Sequence, residues 1–193
     1  MSRLYKVSVC GRYMCGKTTL CNILDRIASS HGDYREDGHL VNEPMPTISP
    51  TVYYLSSINN SAAMLLVDTC GLERFSTVNS YYTRGSDIVV LCSELTSNET
   101  VDSLVEKKKE MEHDVCTRVV IVNTKSDLGT PGDSRYTDKI NNFITVTMTD
   151  VYSFWPLYEL LSEAAESTPF TQEPDSHYIH MEAKCSTSKK CCV

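Results

Sequence analysis

A chain of 193 residues, with 41% hydrophobic and 22% charged residues, fits one folded domain with a substantial core and some residues left over. Its formal net charge of −7 argues against a broad nucleic-acid surface, which needs clustered Lys and Arg, so no nucleic-acid partner is expected. No stretch reaches the roughly 20 apolar residues that span a bilayer, and the N-terminus reads into a strand rather than a secretory signal, which places the nine cysteines in a reducing cytosol.

In chain order, apolar and β-branched runs predict strands near 4–10, 51–58, 63–67, 87–92, 118–123 and 143–147. Lys17 to Ser29 suits a helix that starts directly from a glycine loop. Asn59-Asn60-Ser61 marks a hairpin between the second and third strands. Thr96 and Glu99, at capping-box spacing, open a helix that carries Val101, Leu104, Val105, Met111 and Val115 on roughly one face. A clipped helix is expected from Ser134 to Asn142. The last helix begins near Ser153, takes Pro156 in its first turn and buries Leu157, Leu160, Leu161 and Ala164. Strands that each follow a helix imply parallel crossovers, so the fold class is α/β: a six-stranded, mostly parallel sheet with one antiparallel strand and helices on both faces. Residues 30–46 read as a long polar loop and residues from about 167 as a polar tail. Cys10, Cys15, Cys21, Cys70, Cys92 and Cys116 are scattered and read as small buried hydrophobes, while Cys185, Cys191 and Cys192 share the tail.

Gly11-Arg12-Tyr13-Met14-Cys15-Gly16-Lys17-Thr18 matches G-x-x-x-x-G-K-[ST] between a strand and a helix, the setting a phosphate-binding loop requires. Backbone amides and the helix N-terminus can ring the phosphates, Lys17 can reach the β/γ-phosphates, and the Thr18 hydroxyl can ligate magnesium. By itself this loop fits an ATPase, a nucleotide kinase or a GTPase. Downstream, the strand 63–67 runs into Asp68-Thr69-Cys70-Gly71, where an aspartate can supply a second magnesium contact and Gly71 can approach the γ-phosphate. Strand 118–123 ends in Thr124-Lys125-Ser126-Asp127, whose carboxylate can accept from the ring N–H and exocyclic amine of guanine, a donor pair adenine lacks.

Four motifs in this order, GRYMCGKT at 11–18, PTI at 46–48, DTCGLERF at 68–75 and TKSD at 124–127, resemble the Ras superfamily of small GTPases over about residues 3–166. The resemblance implies a three-layer P-loop NTPase of the Ras-like G-domain type over residues 1–166, followed by a tail over 167–193. It implies bound GTP or GDP, held by Gly11, Tyr13, Met14, Cys15, Gly16, Lys17, Thr18, Thr19, Tyr34, Thr47, Gly71, Thr124, Lys125, Asp127, Thr147, Met148 and Thr149. Mg2+ falls to Thr18, Thr47 and Asp68, and GTP hydrolysis to Lys17, Thr47, Gly71 and the glutamine position, here Leu72. Within the superfamily, residues 73–85 are similar to the Rab switch II, and Lys189-Lys190-Cys191-Cys192-Val193 is similar to the double-cysteine Rab ends, with Cys191 and Cys192 as the lipidated residues. That reading implies a membrane-trafficking switch on the cytosolic face of an endomembrane, with effector, exchange-factor and GTPase-activating partners and a prenylated membrane anchor.

The chain departs from the family in ways that bear on turnover. Leu72 can neither donate nor accept a hydrogen bond, and Tyr13 stands where Ras proteins have glycine, so slow hydrolysis is expected. Arg12 reads as a surface residue. Thirty residues separate Lys17 from Thr47, about ten more than usual, and Tyr34 is the aromatic candidate for stacking on the base. TKSD replaces the usual NKxD, with Asn123 one place too early to substitute, and Thr147-Met148-Thr149 replaces S-A-K. The alternative is a pseudo-GTPase or GTP-loaded binding module that does not cycle.

Overall fold

The computed structural model describes residues 4–30, 49–71, 82–95, 101–115, 118–129 and 143–167. Tyr34, Thr47, Leu72, Cys191 and Cys192, the motif at 96–99, the helix expected at 134–142 and the tail lie outside the described residues.

The elements run β1 (Leu4–Gly11), α1 (Lys17–Ser29), β2 (Thr51–Ser56), β3 (Ala63–Asp68), β4 (Ile88–Glu94), α2 (Val101–Val115), β5 (Arg118–Thr124), β6 (Phe143–Thr145) and α3 (Trp155–Ser167). The strands form one sheet in the order β2-β3-β1-β4-β5-β6, antiparallel only between β2 and β3. All six expected strands are present. β2 stops at Ser56, two residues earlier than the pattern suggested, because Ser57 turns the chain: its carbonyl accepts from the Asn60 amide at 2.9 Å and its hydroxyl from the Ala62 amide at 3.1 Å. Asn60 takes φ 54°, a left-handed conformation that asparagine tolerates better than most residues.

The parallel strands are buried on both faces, which is why they read as continuous apolar runs rather than alternating ones. One face carries Val7, Val9, Leu66, Val90, Val120 and Val122 against Leu20, Ile23, Leu24 and Ile27 of α1 and Leu157 and Leu161 of α3. The other carries Cys10, Val89, Leu91, Val119 and Ile121 against Leu104 of α2. Helices on both faces therefore close two cores on one sheet.

α3 departs from its expected pattern in two respects. It starts at Trp155, after a 3-10 turn over Val151–Phe154 capped by the Asp150 side chain, not at Ser153. Its buried stripe is Leu157, Tyr158, Leu161, Ser162 and Ala165, so Leu160 and Ala164 are only partly covered. The stripe is rotated because the Tyr158 hydroxyl donates to the Ser56 carbonyl at 2.7 Å, turning that side of the helix toward the end of β2.

Leu161 is fully buried in this core. Leu161→Ala is expected to cost about 2–5 kcal/mol in chemical denaturation, the range for a leucine that leaves a cavity; a loss below about 1 kcal/mol would show that α3 is not packed as described.

Candidate nucleotide-binding site

At the carboxyl end of β1 the chain leaves the sheet, wraps through Arg12 to Gly16 and enters α1 at Lys17. Ligands of open α/β sheets sit at this end. Arg12, Tyr13 and Met14 face solvent, Tyr13 at 46% and Met14 at 59% exposure. Arg12 is thus the surface residue the sequence suggested. Lys17 is the opposite case: it is buried, and its ammonium donates to the Arg12 carbonyl across the loop at 2.7 Å. Thr19, one residue beyond Thr18 on α1, is half-buried.

β3 delivers the second half of the phosphate end. It pairs in parallel with β1, so that Val9 and Asp68 are register partners, and the Thr69 amide and hydroxyl both donate to the Val9 carbonyl at 3.2 and 2.8 Å. Asp68 is fully buried; Oδ2 accepts from the Thr18 hydroxyl at 2.6 Å, and Oδ1 has no hydrogen-bond partner among the described residues. Burial raises the Asp68 pKa, opposed by the Thr18 hydrogen bond and the Lys17 charge. A buried carboxylate oxygen without a donor, beside a threonine hydroxyl, is a donor set suited to a hard cation such as Mg2+. Thr18 and Asp68 fit the expected metal role; Thr47 lies outside the described residues.

Gly71 follows three residues later and lies directly on the loop. A Cβ there would run into Lys17 Nζ and come within 2.8 Å of the Arg12 carbonyl and 2.9 Å of Tyr13 Cα. Only a residue without a side chain permits this approach. Tyr13 thus has its backbone against Gly71 while its side chain is exposed.

The base end is built from the ends of β5 and β6. Lys125 takes φ 58° and its ammonium pairs with Glu94 of β4 at 3.0 Å. Asp127 is exposed on the following 3-10 turn, and its Oδ1 accepts from the Thr147 hydroxyl at 2.8 Å. Thr147 is fixed in turn, since its amide donates to the Ser153 hydroxyl at 2.9 Å and its hydroxyl lies 2.9 Å from that of Thr149. The residues that replace S-A-K thus orient the Asp127 carboxylate, while Met148 packs partly buried against the core.

Thr124 joins the two ends. Its hydroxyl donates to the Cys15 carbonyl at 2.6 Å, buried between β5 and the phosphate loop. Threonine at the first place of TKSD therefore ties the base loop to the phosphate loop. Asn123 is wholly buried, its side-chain amide has no hydrogen-bond partner among the described residues, and it takes no part in the Thr124–Cys15 bond. Sequence reasoning missed Glu94; its signal was a carboxylate at the end of β4, in register with Thr124. The scattered cysteines Cys10, Cys15, Cys21, Cys70 and Cys92 are all buried, as the sequence implied.

A strand, a glycine loop with a buried lysine, a helix and an adjacent buried aspartate define a P-loop nucleotide-binding α/β protein. Residues 6–187 match the Ras family, and the chain belongs to that family. It is 28% identical over 128 residues to the Rho-related GTP-binding protein RhoE of Homo sapiens, and equally to RhoE of Mus musculus and Rattus norvegicus. Each alignment covers 65% of this chain and 48% of the relative, so the chain spans about half the length of the curated relatives it matches.

Asp68→Asn keeps an acceptor for Thr18 and removes the buried charge. Because burial holds the Asp68 pKa above its usual value, the metal-free folded protein is penalised for ionising it as pH rises through the carboxylate range. The variant is expected to melt higher than the parent without metal, by a margin that grows with pH through that range. Its nucleotide affinity should lose its response to magnesium, and a retained magnesium response would exclude Asp68 from the cation site.

Proposed function

We propose that this chain is a guanine-nucleotide switch that binds GTP and GDP with magnesium and hydrolyses GTP slowly. The observation that carries the reading is the pairing of two ends by Thr124: Lys17, Thr18, Asp68 and Gly71 converge on the phosphate side, while Lys125, Asp127 and Thr147 converge on the base side. Lys17 and the N-terminus of α1 hold the phosphates, and Asp127 selects the base by accepting from guanine donors. Magnesium, when bound, supplies positive charge that neutralises phosphate oxygens. Thr18 and Asp68 hold it, with Thr47 as the switch threonine that senses the γ-phosphate.

Slow turnover is supported by two residues. Leu72 cannot orient a water by hydrogen bonding, and Tyr13, whose backbone lies against Gly71, puts a bulky side chain in the loop where Ras proteins have glycine. The same residues favour a second reading, a GTP-loaded binding module that does not cycle. Regulators and effectors that distinguish the two nucleotide states are the expected partners. A Rab-like trafficking role is supported by the similarity of residues 73–85 and by Cys191 and Cys192 as lipid acceptors, which would place the protein on the cytosolic face of an endomembrane. The likeness to Rho-related proteins favours that branch as the competing assignment.

Single-turnover hydrolysis of GTP separates the readings. The parent is expected to be slow but above the buffer rate, and Leu72→Gln to be about tenfold faster or more, since a positioned water is worth more than 1.4 kcal/mol of barrier. A parent rate equal to buffer selects the non-cycling module. A parent already fast and indifferent to Leu72→Gln would contradict slow hydrolysis altogether.

A further inference from the structure

The floor of the phosphate loop is lined with sulfur. Gly11, the last residue of β1, is the register partner of Cys92 on β4. Its φ of +149° is one that side-chain-bearing residues rarely adopt, and the space a Cβ would need is already filled by the Cys92 carbonyl and, at 2.8 Å, by Cys15 Sγ. The loop thus folds Cys15 back over Gly11 until its thiol meets that of Cys92, and the two thiols share a hydrogen bond. Both residues are shut from solvent, at 3% and 2% exposure. Lys17 Nζ stands 3.8 Å from the Cys15 sulfur.

Nothing in nucleotide binding calls for two thiols here. The loop offers phosphates its amides and Lys17, and the part of Cys15 that serves the base loop is its carbonyl. Two sulfurs in contact beside an ammonium have a chemistry of their own. The hydrogen bond from Cys92, helped by the Lys17 charge, lowers the Cys15 thiol below its ordinary value against its burial. The same hydrogen bond, together with burial, pushes Cys92 well up. Cys15 is the sulfur that stands beside the Lys17 ammonium, which favours its thiolate and makes it the attacking group, with Cys92 as its proton-bearing partner. Burial raises Cys10 to about 11 and Cys21 well above its ordinary value, so the neighbouring thiols stay inert.

We propose that Cys15 and Cys92 form a peroxide-sensitive dithiol, whose oxidation to a disulfide locks the phosphate loop onto β4 and weakens nucleotide binding. The Cys15 thiolate attacks one oxygen of hydrogen peroxide, the O–O bond breaks, and hydroxide leaves to take a proton as water. Cys15 then carries a sulfenic acid. The Cys92 thiol attacks that sulfur, the S–O bond breaks, and the departing hydroxide takes the Cys92 proton as a second water. Two thiols and one peroxide give one disulfide and two waters, with two electrons passing from sulfur to oxygen. A disulfide holds its sulfurs about 2 Å apart, well inside the contact distance of two thiols. Closing that gap pulls Cys15 toward β4, and with it the carbonyl bonded to Thr124 and the loop that leads into Lys17.

The crosslink stands independently of the guanine-nucleotide reading; the loss of affinity rests on it. The test uses the full chain, stripped of nucleotide, exposed to hydrogen peroxide, alkylated and digested with trypsin. Cys15 is the sole cysteine of tryptic peptide 13–17 and Cys92 that of peptide 85–107, so their joining identifies the pair. The expected product is this linked pair, reversed by dithiothreitol. Cys92→Ala should give no link but a Cys15 that reacts with dimedone, and Cys15→Ser neither; should a variant fail to fold, the parent map decides alone. Recovery of Cys15 as a free thiol while other cysteines oxidise, or its oxidation without joining Cys92, overturns the dithiol. The crosslinked protein should bind fluorescent GDP at least about tenfold more weakly, recovering on reduction; unchanged affinity overturns the coupling to nucleotide. If even the reduced protein fails to bind GDP, the nucleotide reading and the affinity effect fall together, and the linked peptides still stand.

Discussion

A lysine ammonium at 5% exposure needs acceptors, and around Lys17 they come from only a few directions. The Arg12 carbonyl supplies one at 2.7 Å. The Asp68 carboxylate supplies opposite charge from the neighbouring strand, close enough for the Lys17 charge to oppose the effect of burial on Asp68. Burying an ion is costly unless it is paired and hydrogen-bonded. Most of the surrounding architecture follows from meeting that condition. β1 has to end so that the loop can wrap back with its Arg12 carbonyl inward, α1 has to begin at Lys17, and β3 has to pair with β1 in the register that sets Asp68 opposite Val9. Gly71 has to be glycine because a Cβ there would meet the loop backbone, the Arg12 carbonyl at 2.8 Å and Tyr13 Cα at 2.9 Å. Two buried charges thus frame a space fit for an anion and a cation together, and Asp68 Oδ1 is left without a donor at its edge.

The base end depends on the phosphate end through one buried hydroxyl. Thr124 bonds the Cys15 carbonyl, and the Leu95 amide bonds the Thr124 carbonyl, so the ends of β4 and β5 and the phosphate loop move as one piece. Glu94 then holds Lys125, and Thr147 holds Asp127. A ligand that engages both ends meets groups whose geometry is set before it arrives, which lowers the ordering cost of binding.

Much of this was legible in the sequence because short motifs carry strong constraints. All six strands were visible, since parallel strands buried on both faces read as unbroken apolar runs. Lys17, Thr18, Asp68 and Gly71 could be placed from spacing alone, because each follows a strand end directly. Contacts that join distant segments were not legible. Thr124 to Cys15 spans 109 residues and Thr147 to Asp127 spans 20, and neither side chain announces its partner. The S-A-K position looked degraded because threonine and methionine differ from the family's residues, yet a threonine hydroxyl supplies the same kind of donor to a carboxylate. Rotation of α3 was missed because Tyr158 is both apolar and a donor, and its hydrogen bond to Ser56 decided which stripe turned inward. The cysteines read correctly as small buried residues, but that reading hid the contact between two of them.

The proposed guanine recognition rests on one residue, Asp127. The most direct measurement is competition between GTP and ATP for the nucleotide-stripped protein in magnesium. GTP is expected to bind on the order of a hundredfold more tightly or better, because adenine lacks the donor pair that the Asp127 carboxylate accepts. Asp127→Ala should erase that preference. Equal affinity for ATP and GTP, or a preference that survives Asp127→Ala, would contradict guanine recognition at this site.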